Sequence, residues 1–237
     1  MSEASSVSIL LFGFLLGLKH AVEADHVAAV STIASEHSSI VRSSLVGAWW
    51  GIGHTISLML VGAAIVLFRI EISERLSLFF EFLVGLMLIG MGANALLKLV
   101  RGGHLHMHAH QHGGRAHTHP HIHDGKAEPD LQSHHGLSLQ RRPLFVGMMH
   151  GLAGSGALML LVLSTIRQPA PAFIYLLVFS VGSTGGMMIM SALVGLPAKL
   201  TAQRFRSANT IMRAIAGTFS VLLGTFMTYE IVLRGIG

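Results

Sequence analysis

The 237-residue chain contains no cysteine. It can form no disulfide, offers no thiolate to a metal and has no cysteine nucleophile, and its redox compartment cannot be read from cysteine usage. Charge is scarce as well: Asp, Glu, Lys and Arg make up 11% of residues, against roughly 25% in an ordinary soluble domain. A chain that is 51% hydrophobic and so poor in charge cannot cover its own surface with polar groups. Much of that surface is therefore expected to face lipid. Negative charge is the scarcer sign, with 11 Asp and Glu against 16 Lys and Arg, a net charge of +5. In a membrane protein that excess sets orientation, and no nucleic-acid partner is expected. A phosphate-binding Gly-x4-Gly-Lys-Ser/Thr loop is also missing, so any use of ATP would need a partner.

What the chain does have is long apolar runs. A membrane span takes about 20 predominantly apolar residues, and six segments qualify: 7–33, 43–67, 77–99, 143–166, 171–196 and 212–234. The first begins with Val7–Leu18 behind Glu3 and no basic residue, which is unlike a signal peptide, and reads as a span. Pro197 follows the fifth and is expected to stop it, because proline lacks the N–H a helix needs. Trp49, Trp50, Tyr175 and Tyr229 fall near span ends and suit interfacial anchoring. Loop charges then orient the chain. Eleven Lys and Arg lie on the side reached after spans one, three and five, and four on the other. By the positive-inside rule both termini are outside and the 100–142 loop is cytoplasmic, in what is expected to be a bacterial inner membrane.

The two halves resemble each other. Gly17-x-x-His20 aligns with Gly147-x-x-His150 at an offset of 130, and Gly53-His54-Thr55 with Gly182-Ser183-Thr184 at 129. Gly85 and Gly92 align with Gly217 and Gly224 at 132. Three spans per half is an odd number, so the second copy must enter the membrane upside down. The expected fold is an all-α integral membrane protein of about six helices. Two inverted three-helix repeats, 1–99 and 143–237, are joined by the histidine-rich segment 100–142. Secondary transporters commonly have this arrangement, with the site near the midplane.

The first span carries Lys19-His20-Ala21-Val22-Glu23-Ala24-Asp25-His26 near its centre. Lys and Asp each cost roughly 2.5–3.5 kcal/mol at a helix centre. Such groups are tolerated when they face the bundle interior and find partners. Lys19 and the carboxylates could satisfy each other, but that leaves two histidines unexplained. At about 100° per residue, His20, Glu23 and His26 share one arc, with Asp25 well round from both histidines. One straight helix cannot aim His20, Asp25 and His26 at one ion. Either the helix is distorted, although no Gly or Pro marks a break, or Asp25 acts through another helix. His54, in the second span, and His150, in the fourth, are the further candidates. Imidazole and carboxylate ligands without sulfur suit nickel, cobalt or zinc. The candidate metal residues are thus His20, Glu23, Asp25, His26, His54 and His150.

The pattern His20-x4-Asp25-His26, preceded by Lys19, resembles the signature of the nickel/cobalt transporter (NiCoT) family, and Gly53-His54-Thr55 resembles that family's second motif. The resemblance implies that His20, Asp25, His26 and His54 bind and select Ni²⁺ or Co²⁺ as cargo, with no resident cofactor and no enzymatic activity. The family's later Asp-Thr motifs are replaced here by His150-Gly151-Leu152-Ala153-Gly154-Ser155-Gly156. The chain is therefore closer to the six-span, UreH-like branch, and the partners this resemblance implies are the metal ion, the bilayer and metalloenzyme-maturation proteins. The oligomeric state is not legible.

Residues 104–135 hold eleven of the 16 histidines, several in strict alternation. With few apolar residues, this segment is expected to lack regular structure and reads as a cytoplasmic metal buffer or sensor. Uptake of the dication is the leading expectation, and the acidic Glu-Ala-Asp-His form resembles the uptake branch of the family. The rivals are efflux, a membrane-bound metal-delivery or sensor protein, and an intramembrane protease using Ser155. The protease reading fails on the sixth span, 212–234, which contains no histidine to act as base.

Overall fold

The computed structural model describes residues 3–35, 39–69, 73–101, 105–112, 115–122, 135–153, 166, 168–202 and 206–236. The described helices are α1 (Glu3–His20), α2 (Ala24–Ala34), α3 (Ile40–Phe68), α4 (Glu74–Val100), α5 (His135–Leu152), α6 (Pro169–Ala202) and α7 (Arg206–Ile236). Two strands, β1 (Leu105–His112) and β2 (Arg115–Ile122), lie between α4 and α5.

Among the described residues, four helices are long and apolar enough to cross a membrane: Ile40–Phe68, Glu74–Val100, Pro169–Leu196 and Asn209–Gly235. These are the second, third, fifth and sixth expected segments, and they make the chain a multi-pass membrane protein. Their outward residues include Leu60, Phe68, Val100 and Phe226, all largely exposed, as lipid-facing side chains must be. The fourth expected segment begins within α5, and its residues 154–165, including Ser155, lie outside the described residues.

The first expected segment is not one helix. α1 ends at His20 and α2 starts at Ala24, with Glu23 in extended geometry as the N-cap of α2 (φ −65°, ψ 151°). The interruption leaves little backbone unpaired. Val22 N–H donates to the Lys19 carbonyl and Glu23 N–H to the His20 carbonyl, both at 3.1 Å, while Val27 N–H reaches back to Glu23 at 2.9 Å. These bonds explain how three residues can leave helical geometry without orphaning N–H groups, each of which costs several kcal/mol in an apolar setting. Lys19, expected to turn into the bundle, is instead exposed in the last turn of α1. A cation there meets the carbonyl end of the helix dipole.

Pro197 does not stop its helix. α6 continues through it to Ala202, because one lost backbone bond can be tolerated when the turns on either side are intact. The expectation of no regular structure in the 100–142 segment is corrected in two places. α5 begins within it, at His135, and β1 and β2 pair antiparallel with His106 opposite His121, His108 opposite His119 and His110 opposite His117. The physical reason is local. An alternating sequence matches the two-residue period of a strand, and Gly113-Gly114 between the strands is a two-residue hairpin signal. Residues 102–104, 113–114 and 123–134 lie outside the described residues.

The principal helix contacts are α3 with α6, α4 with α7, α3 with α5, and α1 with α6. Glycines set how close these helices come. A methyl group on Gly17 would overlap the Phe179 carbonyl, and one on Gly147 the Trp50 carbonyl. One on Gly53 would strike the Leu144 carbonyl, and one on Gly182 the Phe14 carbonyl. Gly85 and Gly92 face Gly224 and Gly217 in the same way across α4 and α7. Small residues that let backbones touch are the usual basis of helix packing in lipid, where the hydrophobic effect gives no net drive between helices. Hydroxyls add hydrogen bonds between helices: Ser220 donates to the Leu88 carbonyl at 2.8 Å, and Thr55 and Thr184 pair through their oxygens at 3.4 Å.

Candidate metal centre

The break between α1 and α2 resolves the geometric problem that a straight helix posed. It places His20 at the end of one helix and turns Asp25 and His26 into the first turn of another. His54 arrives halfway along the 29-residue α3, and His150 near the end of α5. The four histidines converge. Ring centroids are 4.4 Å apart for His20 and His26, 5.1 Å for His20 and His54, 5.6 Å for His26 and His54, and 4.6 Å for His26 and His150. His26, His54 and His150 are completely buried and His20 nearly so. All six expected metal residues lie in this cluster or touch it.

The carboxylates orient the rings. Nδ1 of His20 donates to Glu23 Oε2 at 3.0 Å, and Nδ1 of His26 donates to Asp25 Oδ1 at 3.0 Å. The His26 backbone N–H reaches the same Asp25 oxygen at 2.9 Å, which fixes that carboxylate over the start of α2. A metal-ligating histidine usually gives its second ring N–H to a carboxylate, which leaves the other nitrogen's lone pair for the ion. His26 meets that description: its Nε2 is buried and has no hydrogen-bond partner. Both ring nitrogens of His54 are buried and unpartnered too. His150 Nε2 lies 3.3 Å from Asp25 Oδ2, within ion-pair distance but without hydrogen-bond alignment. Buried polar atoms are almost always satisfied, so several orphaned imidazole nitrogens in one place form a donor set aimed at something other than protein.

Among the described residues, two overlapping triads bring ligand atoms close enough to share a metal. One ligand atom each from His20, His26 and His54 lie within 4.8 Å of one another, and the same holds for Asp25, His26 and His150. A first-row dication sits about 2.1 Å from its nitrogen and oxygen ligands, so three ligands spread as widely as possible around it stand about 3.6 Å apart. Either triad would have to draw in by up to about 1 Å per pair to hold an ion. Glu23, with its side chain 39% exposed, supports His20 and belongs to neither triad.

Sequence reasoning missed the aromatic walls. The Trp50 ring is fully buried, stacks on His26 at 5.6 Å and 4°, and contacts His150 at 5.4 Å. Phe179 lies 5.7 Å from His20. Trp50 and Tyr175 are not interfacial anchors: both are wholly buried. Their positions near the ends of the hydropathy windows misled, because α3 and α6 extend past those windows. For Trp50 the usable signal was its place four residues before His54, one turn away on the same helix face.

The family model described as high-affinity nickel-transport protein (NicO) matches residues 6–236 of this chain. The chain belongs to that family. It is 39% identical over 231 residues to the urease accessory protein UreH of Bacillus sp. (strain TB-90), an alignment covering 98% of this chain and 95% of the relative. It is also 36% identical over 72 residues to the high-affinity nickel transport protein of Cupriavidus necator, covering 30% of this chain and 20% of that one. No solved structure gives a significant match. The family is one of transport proteins, so the buried histidine cluster stands in a chain of a nickel-transport family.

Proposed function

We propose that this chain is a secondary transporter that carries Ni²⁺, or Co²⁺, into the cell through the His20–His26–His54 and Asp25–His26–His150 cluster. The observation that carries the proposal is the set of orphaned, fully buried imidazole nitrogens gathered from α2, α3 and α5. Membership of a nickel-transport family supplies the cargo class. The resemblance in the first two spans widens it to cobalt. A membrane potential is worth about 2.3 kcal/mol per charge per 100 mV, so a dication gains about 4.6 kcal/mol moving inward. That corresponds to roughly a two-thousandfold accumulation with no other drive.

The proposed frame is six spans in two inverted repeats, in an inner membrane, with both termini outside and the histidine-rich loop in the cytoplasm. Glycine contacts support it. Gly17 against Phe179 matches Gly147 against Trp50, and Gly53 against Leu144 matches Gly182 against Phe14, under offsets of 129 or 130. The His20–Phe179 and Trp50–His150 ring contacts obey the same relation. Proteoliposomes containing the purified chain, with an inside-negative potential, are expected to accumulate labelled nickel, with excess cobalt competing. Cells expressing it should become more sensitive to nickel. Raised tolerance would indicate efflux, and binding without flux would indicate a delivery or sensor protein.

The loop supports the reading of a cytoplasmic metal buffer. The strand register pairs His106 with His121, His108 with His119 and His110 with His117, and directly opposed residues are the neighbours across a strand pair. A change that keeps composition but breaks register tests this. Exchanging His108 with Ala109 keeps every histidine yet unpairs His119, and is expected to weaken nickel binding by the loop several-fold in equilibrium dialysis. Adding the exchange of Thr118 with His119 rebuilds a pair on the other face and should recover part of that loss. Identical binding by all three proteins would mean that only histidine content matters.

A further inference from the structure

The two triads have only His26 in common. Its Nε2 is buried and unpartnered on one edge of the ring, its Nδ1 lies 3.0 Å from Asp25 on the other, and a neutral imidazole has a free lone pair on only one of the two. One lone pair binds one ion, and two dications about an imidazole's width apart would repel strongly in a dry site. The triads are therefore alternatives, not a pair occupied together.

Their other members arrive on different helices. His20 closes α1, and His150 lies two residues before the end of α5. In the proposed topology these helices enter from opposite faces of the membrane, and each delivers a histidine at its tip. His54 contacts the His20 side of His26, while Asp25 Oδ2 turns toward His150. Trp50 stacks on His26 and also touches His150, so it walls the step between the two.

We infer that the cluster holds two successive metal positions, an outward His20–His26–His54 position and an inward Asp25–His26–His150 position. The dication moves between them by exchanging His20 and His54 for Asp25 and His150, while His26 offers Nε2 to the first position and Nδ1 to the second and its ring proton passes to the nitrogen the ion has left. No bond to carbon is made or broken and no electron moves; the ion changes ligands and keeps its charge. This rests on the transport reading above and adds His150 as the receiving ligand, a role that the signature in the first two spans does not contain.

The inference separates binding from transport. The test uses full-length chain whose eleven loop histidines are replaced by asparagine, so that the membrane cluster alone is counted. Equilibrium dialysis with labelled nickel measures binding in detergent, and the same preparations are assayed for uptake in proteoliposomes. His54→Ala and His150→Ala are each expected to retain one nickel per chain, with affinity reduced roughly tenfold, because the other triad is intact. Both should lose uptake. Asp25→Asn, which keeps size and shape, should behave like His150→Ala and covers the case in which an alanine variant fails to fold. X-ray absorption should show oxygen in the metal shell of His54→Ala and nitrogen alone from the chain in His150→Ala. If His54→Ala and His150→Ala both lose nickel completely, the cluster is a single site and the inference is overturned. Wild-type uptake by either variant overturns it too, since one position would then be off the path. Should the parent chain carry no nickel at all, the transport reading fails, and the binding pattern still decides whether there are two positions.

Discussion

Vesicles containing His26→Ala should take up labelled nickel no faster than empty vesicles, and the protein should show no saturable binding by its membrane cluster. No other side chain is expected to matter as much. His26 belongs to both triads, so removing it leaves two ligands in each. It also removes the ring stacked on Trp50 and the donor that holds Asp25. A carboxylate left without its partner in a dry interior is costly enough that it takes up a proton or draws in water. Neither outcome rebuilds a dication site. Size-exclusion behaviour like that of the parent would show that the loss is in the site and not in folding. Uptake near the parent rate would refute the assignment of the cluster, whatever the family.

Gly147→Val should be almost as damaging, by a different route. A methyl group there already overlaps the Trp50 carbonyl, and valine adds two more carbons against α3. Overpacking of this kind costs typically 1–3 kcal/mol, and more when backbone must move. The backbone that moves is α5, with His150 one turn along it. The variant should therefore unfold several degrees lower in detergent and transport nickel at least tenfold more slowly. Gly90→Val is the control, since nothing lies within 4 Å of a side chain added at Gly90. Equal effects at Gly90 and Gly147 would mean that helix propensity is responsible and not the close approach.

The four longest spans were legible because apolar length is a direct consequence of bilayer thickness. His20, Asp25, His26 and His54 were legible because charge and imidazole within an apolar run are expensive and need a reason. His150 came from the match of Gly147-x-x-His150 to Gly17-x-x-His20, a signal that needed no contact information. The break at Ala21–Glu23 was legible only as one of two alternatives, a distorted helix or an Asp25 acting through another helix. Its sequence has neither glycine nor proline, and what stabilises it, the Glu23–His20 and Asp25–His26 pairs, forms only once the chain has turned. Trp50 was hidden for a related reason. A tryptophan near the edge of a hydropathy window looks the same whether it faces headgroups or a histidine ring, and only the true end of α3 separates the two. The hairpin shows the opposite failure: composition argued against structure, while the alternation that permits a strand was in plain view.

The partner of each helix has a consequence for how the protein is made. α3 leans on α5 and α6, α4 on α7, and α1 on α6; contacts among α1 to α4, or between α6 and α7, are slight by comparison. While the ribosome is still producing the histidine-rich connector, the helices already in the bilayer have few of their final neighbours. They must wait as loosely associated rods, with glycine notches and buried imidazoles open, until the remaining helices insert among them. The histidine cluster is complete only once α5 has brought His150 to it.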